Sequence, residues 1–190
     1  MENKISIMGR IILQGKAGSG KDFAREQLIT LGYRPSISYT SRPPRPNEVD
    51  GREYHFITEQ KFEDYISEGF FYEENRFGKA VSEGGPGLWW YGTPKHSFDD
   101  CTLFIMTPSA MPKLSEKHRK TSVVIYFDIP EVIRYARLKT RKDVDNAERR
   151  METDREDFKN FIDFDIRITD HLFKLEDVVK KIEDYNVQLV

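Results

Sequence analysis

Cysteine is almost absent from this chain of 190 residues, with Cys101 the only one. A single thiol excludes an internal disulfide framework and fits a reducing compartment, the cytoplasm. The four histidines and Cys101 show no zinc-ligand spacing. A dominant charge is also missing. Lys and Arg number 30 against 32 Asp and Glu, a formal net charge of −2, so no basic field favours nucleic acid as a partner. Long apolar runs are missing too. The opening MENKISIMGRIILQG carries one short run broken by Gly9 and Arg10, too short for a secretory core or a membrane span. The chain therefore reads as a cytoplasmic protein with neither nucleic acid nor membrane as partner, about one domain with small subdomains, acting as a monomer or homodimer.

What the chain does have is alternation. RIILQ (10–14) ends at Gly15 and reads as a buried strand. In 21–31, apolar residues at 23, 24, 28 and 31 line one helix face, and Gly32 stops it. Ser36–Thr40 and EYHFI (53–57) read as strands, and EQKFEDYISEG (59–69) as an amphipathic helix closed by Gly69. A glycine-rich break at 82–87 precedes LWWYGT. CTLFIM (101–106) and SVVIYFDI (122–129) are apolar strands, and 130–158 is mostly helical with a bend near KDVDN. FDIRIT (164–169) is a last strand and KLEDVVKKIEDY a last helix. Strands separated by helices predict an α/β fold with a mainly parallel sheet.

The first strand–helix junction reads Gly15-Lys16-Ala17-Gly18-Ser19-Gly20-Lys21-Asp22. It follows the Walker A spacing at Gly15, Gly20 and Lys21, with Asp22 in place of the usual hydroxyl residue. Glycines let backbone N–H groups turn towards phosphate, the helix start adds its dipole, and lysine adds a charge. Gly-x4-Gly-Lys arises by chance in about one chain in sixteen of this length. Its position after an apolar strand and before an amphipathic helix is what recommends a phosphate loop over a glycine turn with a surface lysine.

The stretch SYTSRPPRPNEVDGREYHF (38–56) sets Arg42 and Arg45 among three prolines. RPPRP alone suits an extended ligand of a proline-reading domain. Strand-like sequence on both sides, a turn at Gly51 and the hydroxyl of Tyr54 favour a stiff folded loop that aims two guanidinium groups at one anion.

These residues resemble the guanylate kinases, among the nucleoside monophosphate kinases. Their S-x-T-T-R-x-P-R-x-G-E-x-x-G-x-x-Y-x-F segment is matched by Ser38, Arg42, Arg45, Glu48, Gly51, Tyr54 and Phe56 in order and spacing. KFEDYISEGFFYEE resembles the family's helix and following F-x-E, Tyr91-Gly92-Thr93 its Y-G-T/S, and RLKTR (137–141) with Arg150 its lid arginines. The resemblance implies a three-layer P-loop kinase core (1–35, 98–136, 157–190), an acceptor-binding subdomain (36–97) and a short helical lid (137–156). It implies phosphorylation of GMP or dGMP by ATP with Mg²⁺. Residues 15–22 would hold ATP. Arg42, Arg45, Tyr54 and Tyr91 would grip the acceptor phosphate in a site that also includes Glu48 and Thr93. Ser38 and Glu73 would read the base, and Lys21, Arg42, Arg137, Arg141 and Arg150 would serve catalysis. The plain alternatives are an ion-paired solvated helix face for the lid arginines and a surface carboxylate beside Glu74 for Glu73.

Three features depart from the family pattern. Asp22 replaces the hydroxyl that ligates Mg²⁺, Phe104-Ile105-Met106 stands where an Asp-x-Asp is usual, and RFGKAVSEGGPGLWW is extra sequence. Asp22 is expected to supply the carboxylate near Mg²⁺; its alternative is to favour the helix N-terminus. Trp89 and Trp90 suit either stacking on a base or packing within an inserted hairpin. A broader monophosphate kinase, a catalytically silent protein-binding module and a phosphomevalonate-kinase-like enzyme are the rival readings.

Overall fold

The computed structural model describes residues 9–45, 47–78, 88–140 and 147–187. In chain order its elements are β1 (Arg10–Gly15), α1 (Lys21–Thr30), β2 (Tyr39–Thr40), β3 (His55–Phe56), α2 (Glu59–Ser67), β4 (Phe71–Gly78), β5 (Leu88–Pro94) and α3 (Ser97–Asp100). There follow β6 (Leu103–Ile105), a 3₁₀ segment (Pro108–Lys113), α4 (Glu116–Lys120), β7 (Ser122–Phe127), α5 (Glu131–Thr140), α6 (Ala147–Asp157), β8 (Ile166–Ile168) and α7 (Leu175–Val187). They form two compact units.

The first unit takes its described residues from 9–35, 101–140 and 147–187. Its sheet runs β6-β1-β7-β8, every neighbouring pair parallel, with Ile11 opposite Leu103 on one side and Val123 on the other. All six residues of β7 are buried, as an inner strand of a parallel sheet requires. Ile11, Leu13, Val123, Ile125 and Phe127 pack with Ala24 and Leu28 of α1 and Val178 and Ile182 of α7. Each helix contributes residues four apart, one turn of one face. On alternate positions, Tyr126 of β7 stacks on Phe158 with ring centroids 5.6 Å apart, beside Phe161 and Phe164.

The second unit has its described residues in 36–100. Its sheet runs β3-β2-β5-β4, with β2 parallel to β3 and β5 antiparallel to both β2 and β4. Thr58 caps α2 by accepting from the Lys61 N–H at 3.2 Å. Phe62, the buried residue of α2, stacks on Phe71 at 4.3 Å and on Trp90 at 5.6 Å. A Cβ on Gly92 would lie 2.8 Å from Phe71 and 2.9 Å from Phe62, so only glycine lets those rings press on β5.

The α/β class and the helices at 21–31 and 59–69 are as read from sequence. The strand expected over Ser36–Thr40 shortens to Tyr39–Thr40, because Pro35 still bridges Leu103 in the first sheet while Tyr39 pairs with His55 and Gly92 in the second. β4 went unread: FYEENRFG lacks the aliphatic β-formers, and its pairing with β5 supplies what local propensity does not. The 82–87 break and the KDVDN bend lie outside the described residues. Among those residues, no helix is long and apolar enough to cross a membrane.

Candidate active site

The phosphate loop joins β1 to α1 through Lys16–Gly20. Gly18 and Gly20 hold φ of +76° and +93°, values that side chains with a Cβ resist. A Cβ on Gly15 would meet the Ser19 Oγ at 2.6 Å, and one on Gly18 the Arg134 carbonyl oxygen at 2.8 Å. The first amides of α1 have no intrahelical acceptor, and Lys21 and Asp22 occupy that first turn, Lys21 half-buried and Asp22 exposed. The Ser19 hydroxyl is fully buried without a partner among the described residues.

α5 and α6 fasten this loop. Arg137 donates to the Gly18 carbonyl at 3.0 Å and to the His171 carbonyl at 2.7 Å. Arg134, only 1% exposed, donates to the carbonyls of Ala17 (3.2 Å) and Ile129 (3.1 Å) and pairs with Asp154 at 3.2 Å. Asp154 also accepts from the Ala17 N–H at 2.8 Å. Burial pushes the Asp154 carboxyl above the usual range, against the pull of Ala17 N–H, Lys21, Arg134 and Arg150. The sequence named Arg137 and Arg150 in this region. Arg134 and Asp154 were missed as a pair, since nothing local marks a contact with a loop more than a hundred residues earlier. Glu148 pairs with Lys139 (2.8 Å) and Glu152 with Arg155 (2.9 Å). Arg150 is half-buried on α6, and Arg141 lies outside the described residues.

In the second unit, Arg42 is 4% exposed and its Nη2 donates to both carboxylate oxygens of Glu48, each at 2.9 Å. Glu48 also accepts from the Arg45 N–H at 2.7 Å and lies 3.6 Å from its guanidinium. Tyr54 and Phe56 flank Arg42, each ring centroid 5.6 Å from the guanidinium carbon. Tyr91 lies against Tyr54, centroids 5.8 Å apart. Burial works against the Arg42 charge, but Tyr91, Glu48 and Tyr54 outweigh it and the net shift is upward. Residues 42–45 thus belong to a folded loop. Glu48 is its organiser, a part that motif spacing alone did not reveal.

Glu73 is 5% exposed and accepts from the Thr93 hydroxyl at 2.9 Å, while Ser38 Oγ lies 3.5 Å from Thr93 Oγ1. Glu73 shares the buried face of β4 with Phe71, two residues away, whereas Glu74 is less buried. Trp90 resolves towards the packing alternative: its ring lies on Phe62, and its backbone carbonyl accepts from Thr40 Oγ1 at 2.9 Å. Met106, after β6, is 4% exposed and apolar.

A Walker-spaced glycine loop between an inner strand of a parallel sheet and a helix defines the class as a P-loop kinase fold. A solved guanylate kinase from Anaplasma phagocytophilum shares that fold, with a TM-score of 0.63 and 18% identity over 98% of this chain and 88% of that one. The guanylate kinase family model matches residues 8–85. A guanylate kinase of Rhodopseudomonas palustris (strain HaA2) is 33% identical over 144 residues, 65% of this chain and 63% of that protein. One from Aster yellows witches'-broom phytoplasma (strain AYWB) is 38% identical over 93 residues, 47% of this chain and 40% of its own. One from Gloeobacter violaceus is 28% identical over 158 residues, 73% of this chain and 75% of its own. Over these stretches the chain is similar to guanylate kinases. Its match to the first two bacterial relatives spans less than two thirds of their length.

Proposed function

We propose that this protein transfers the γ-phosphoryl group of ATP to the 5′-phosphate of GMP or dGMP. The observation that carries the reading is the Glu48-organised pair Arg42 and Arg45, on the same small unit as the buried Glu73–Thr93 contact. The arginines and the hydroxyls of Tyr54 and Tyr91 would bind the acceptor phosphate. Glu73 would accept from the N1–H and 2-amino edge of guanine, with Ser38 and Thr93 completing that end of the site. Lys21 and the amides of 15–22 would hold the donor phosphates.

Residues 137–156 are proposed as the lid, between core segments 1–35, 98–136 and 157–190, with 36–97 as the acceptor-binding part. In it Arg137 would exchange carbonyl partners for phosphate oxygens, and Arg141 and Arg150 would add charge against the transferring group. ATP fits a loop in which Gly15 and Gly18 leave no room for a Cβ and the buried Ser19 hydroxyl has no partner among the described residues. Among the described residues no cluster of three His, Cys, Asp or Glu could cage a metal. Mg²⁺ suits such a site because it is commonly held by one or two carboxylates, phosphates and waters, and Asp22 would be the carboxylate. When bound it would neutralise charge on the phosphates. We place the protein in the cytoplasm, as a monomer or homodimer.

The test is ADP release from ATP and Mg²⁺ across a panel of ribo- and deoxynucleoside monophosphates, with Lys21→Ala as control. Turnover confined to GMP and dGMP supports the proposal. Turnover across several bases makes the enzyme a broad monophosphate kinase, and none with any acceptor leaves a binding module.

A further inference from the structure

Ala17, in the middle of the phosphate loop, is gripped at both its N–H and its carbonyl, one in each flanking peptide group, by a side-chain pair outside the Walker sequence. Arg134 donates to its carbonyl and Asp154 accepts from its N–H, at 3.2 and 2.8 Å, while the two pair with each other at 3.2 Å. The Ala17 methyl rests on the apolar cluster of Leu138, Ala147 and Met151 from the same two helices. Arg134 is further pinned by the Ile129 carbonyl and lies 3.5 Å from the Met151 sulfur. The α5 backbone presses on the loop as well, since the Arg134 carbonyl stands where a Gly18 Cβ would go.

This grip has a directional consequence. In a trans peptide the C=O and the following N–H point in opposite directions. With the Ala17 carbonyl drawn onto Arg134, the Gly18 N–H must point away from α5. With the Gly18 carbonyl drawn onto Arg137, the Ser19 N–H is turned the same way round, and it meets the Lys16 carbonyl at 3.1 Å inside the loop. Without the arginines these two peptide planes, flanking a glycine of positive φ, would be free to flip, and the loop would lose amide orientation before any nucleotide arrived. Arg150 stands one helical turn before Asp154 on α6, so the contact that sets the loop also sets the helix carrying that arginine.

We infer that Arg134 and Asp154 are positioning residues for the donor triphosphate: their pair presets the peptide planes of the phosphate loop, and donor affinity depends on it. The inference rests on the donor role proposed for residues 15–22. A buried, doubly hydrogen-bonded ion pair is costly to half-remove. Either single truncation should therefore disturb the loop as much as both together.

The experiment measures binding of ATP and, separately, of GMP by calorimetry, with steady-state kinetics, for wild type, Arg134→Met, Asp154→Ala and the double variant. Arg134→Lys and Asp154→Asn are included as milder changes that keep charge or shape. The expected result is ATP affinity weakened about tenfold or more by each truncation, GMP affinity unchanged, and the double variant no worse than the worse single. KM for ATP should rise more than kcat falls, and Arg134→Lys should recover part of the loss. Folded variants with wild-type ATP affinity, even with lowered Tm, would reduce the pair to a structural strut and overturn the inference. Tighter ATP binding by Asp154→Ala would also overturn it, by showing the carboxylate to be a competitor for the phosphate position. A wild type that binds neither ATP nor ADP would instead bring down the donor reading, and this inference with it.

Discussion

Arg42 gives Glu48 a two-oxygen contact at 2.9 Å on each oxygen while only 4% of the arginine is exposed. Glu48 therefore acts by aiming Arg42, and through its bond to the Arg45 N–H it sets the second arginine as well. Glu48→Ala leaves a buried guanidinium without its counter-charge, at a cost of about 2–3 kcal/mol. The expected result is a lower Tm and a KM for the acceptor raised about tenfold or more, with KM for ATP unchanged. Equal losses for both substrates would contradict this division of roles.

Glu73 and Thr93 make the buried polar contact of the β4–β5 pair. Glu73→Gln removes a charge-assisted acceptor worth about 1.5–3 kcal/mol. Acceptor kcat/KM should fall about 10- to 150-fold for GMP, and less for a monophosphate lacking the 2-amino group. A uniform loss across all bases would show that Glu73 supports the unit without reading the base.

Gly18 and Gly32 both hold positive φ, but only Gly18 faces a wall. Gly18→Ala meets the Arg134 carbonyl at 2.8 Å, whereas no described residue lies within 4 Å of a Cβ on Gly32. Gly32→Ala should cost about 1 kcal/mol from backbone conformation alone and leave turnover intact. Gly18→Ala should abolish ATP binding. Denaturation curves and nucleotide titration separate the two effects.

Glu148 offers a pH signature. Contacts from Lys139 at 2.8 Å and the Tyr135 hydroxyl at 2.6 Å lower its carboxyl from the ordinary 4.5 to about 2. A depressed carboxylate pKa stabilises the fold above the unfolded value and loses that contribution as pH falls through the folded one. The Tm gap between wild type and Glu148→Gln should be present at neutral pH, shrink below pH 4.5 and close near pH 2. Salt should narrow it throughout, because both partners are exposed.

Asp22 stands in the first turn of α1, where a hydroxyl residue would ordinarily follow the lysine. If it holds Mg²⁺, Asp22→Ser shifts the Mg²⁺ concentration for half-maximal rate. An unchanged Mg²⁺ titration and an unchanged rate would leave Asp22 the role of favouring the helix N-terminus.

Much of this was legible in the chain because it is local. Gly32 and Gly69 end their helices at φ of +92° and +66°, as two stop signals in sequence indicated. The sequence flanking RPPRP marked a folded loop, and the apolar runs marked the parallel sheet. The choice between Glu73 and Glu74 was harder. FYEENRFG does not announce a strand, so the alternation that puts Glu73 on the face of Phe71 becomes readable only once β4 pairs with β5.

The sequence by itself determined the class of fold, the glycine loop and the arginine-bearing loop between Ser38 and Phe56, since each rests on periodicity or short-range spacing that a chain cannot hide. Tertiary structure alone decided that Trp90 packs on Phe62, and that Arg134 and Asp154 take hold of Ala17. Those contacts join residues 28, 117 and 137 positions apart, and no local propensity encodes them. The grip on Ala17 exists because burial leaves the Arg134 guanidinium almost no solvent to turn to, so it must find its partners within the fold, while Trp90 and Phe62 come together by removing apolar surface from water.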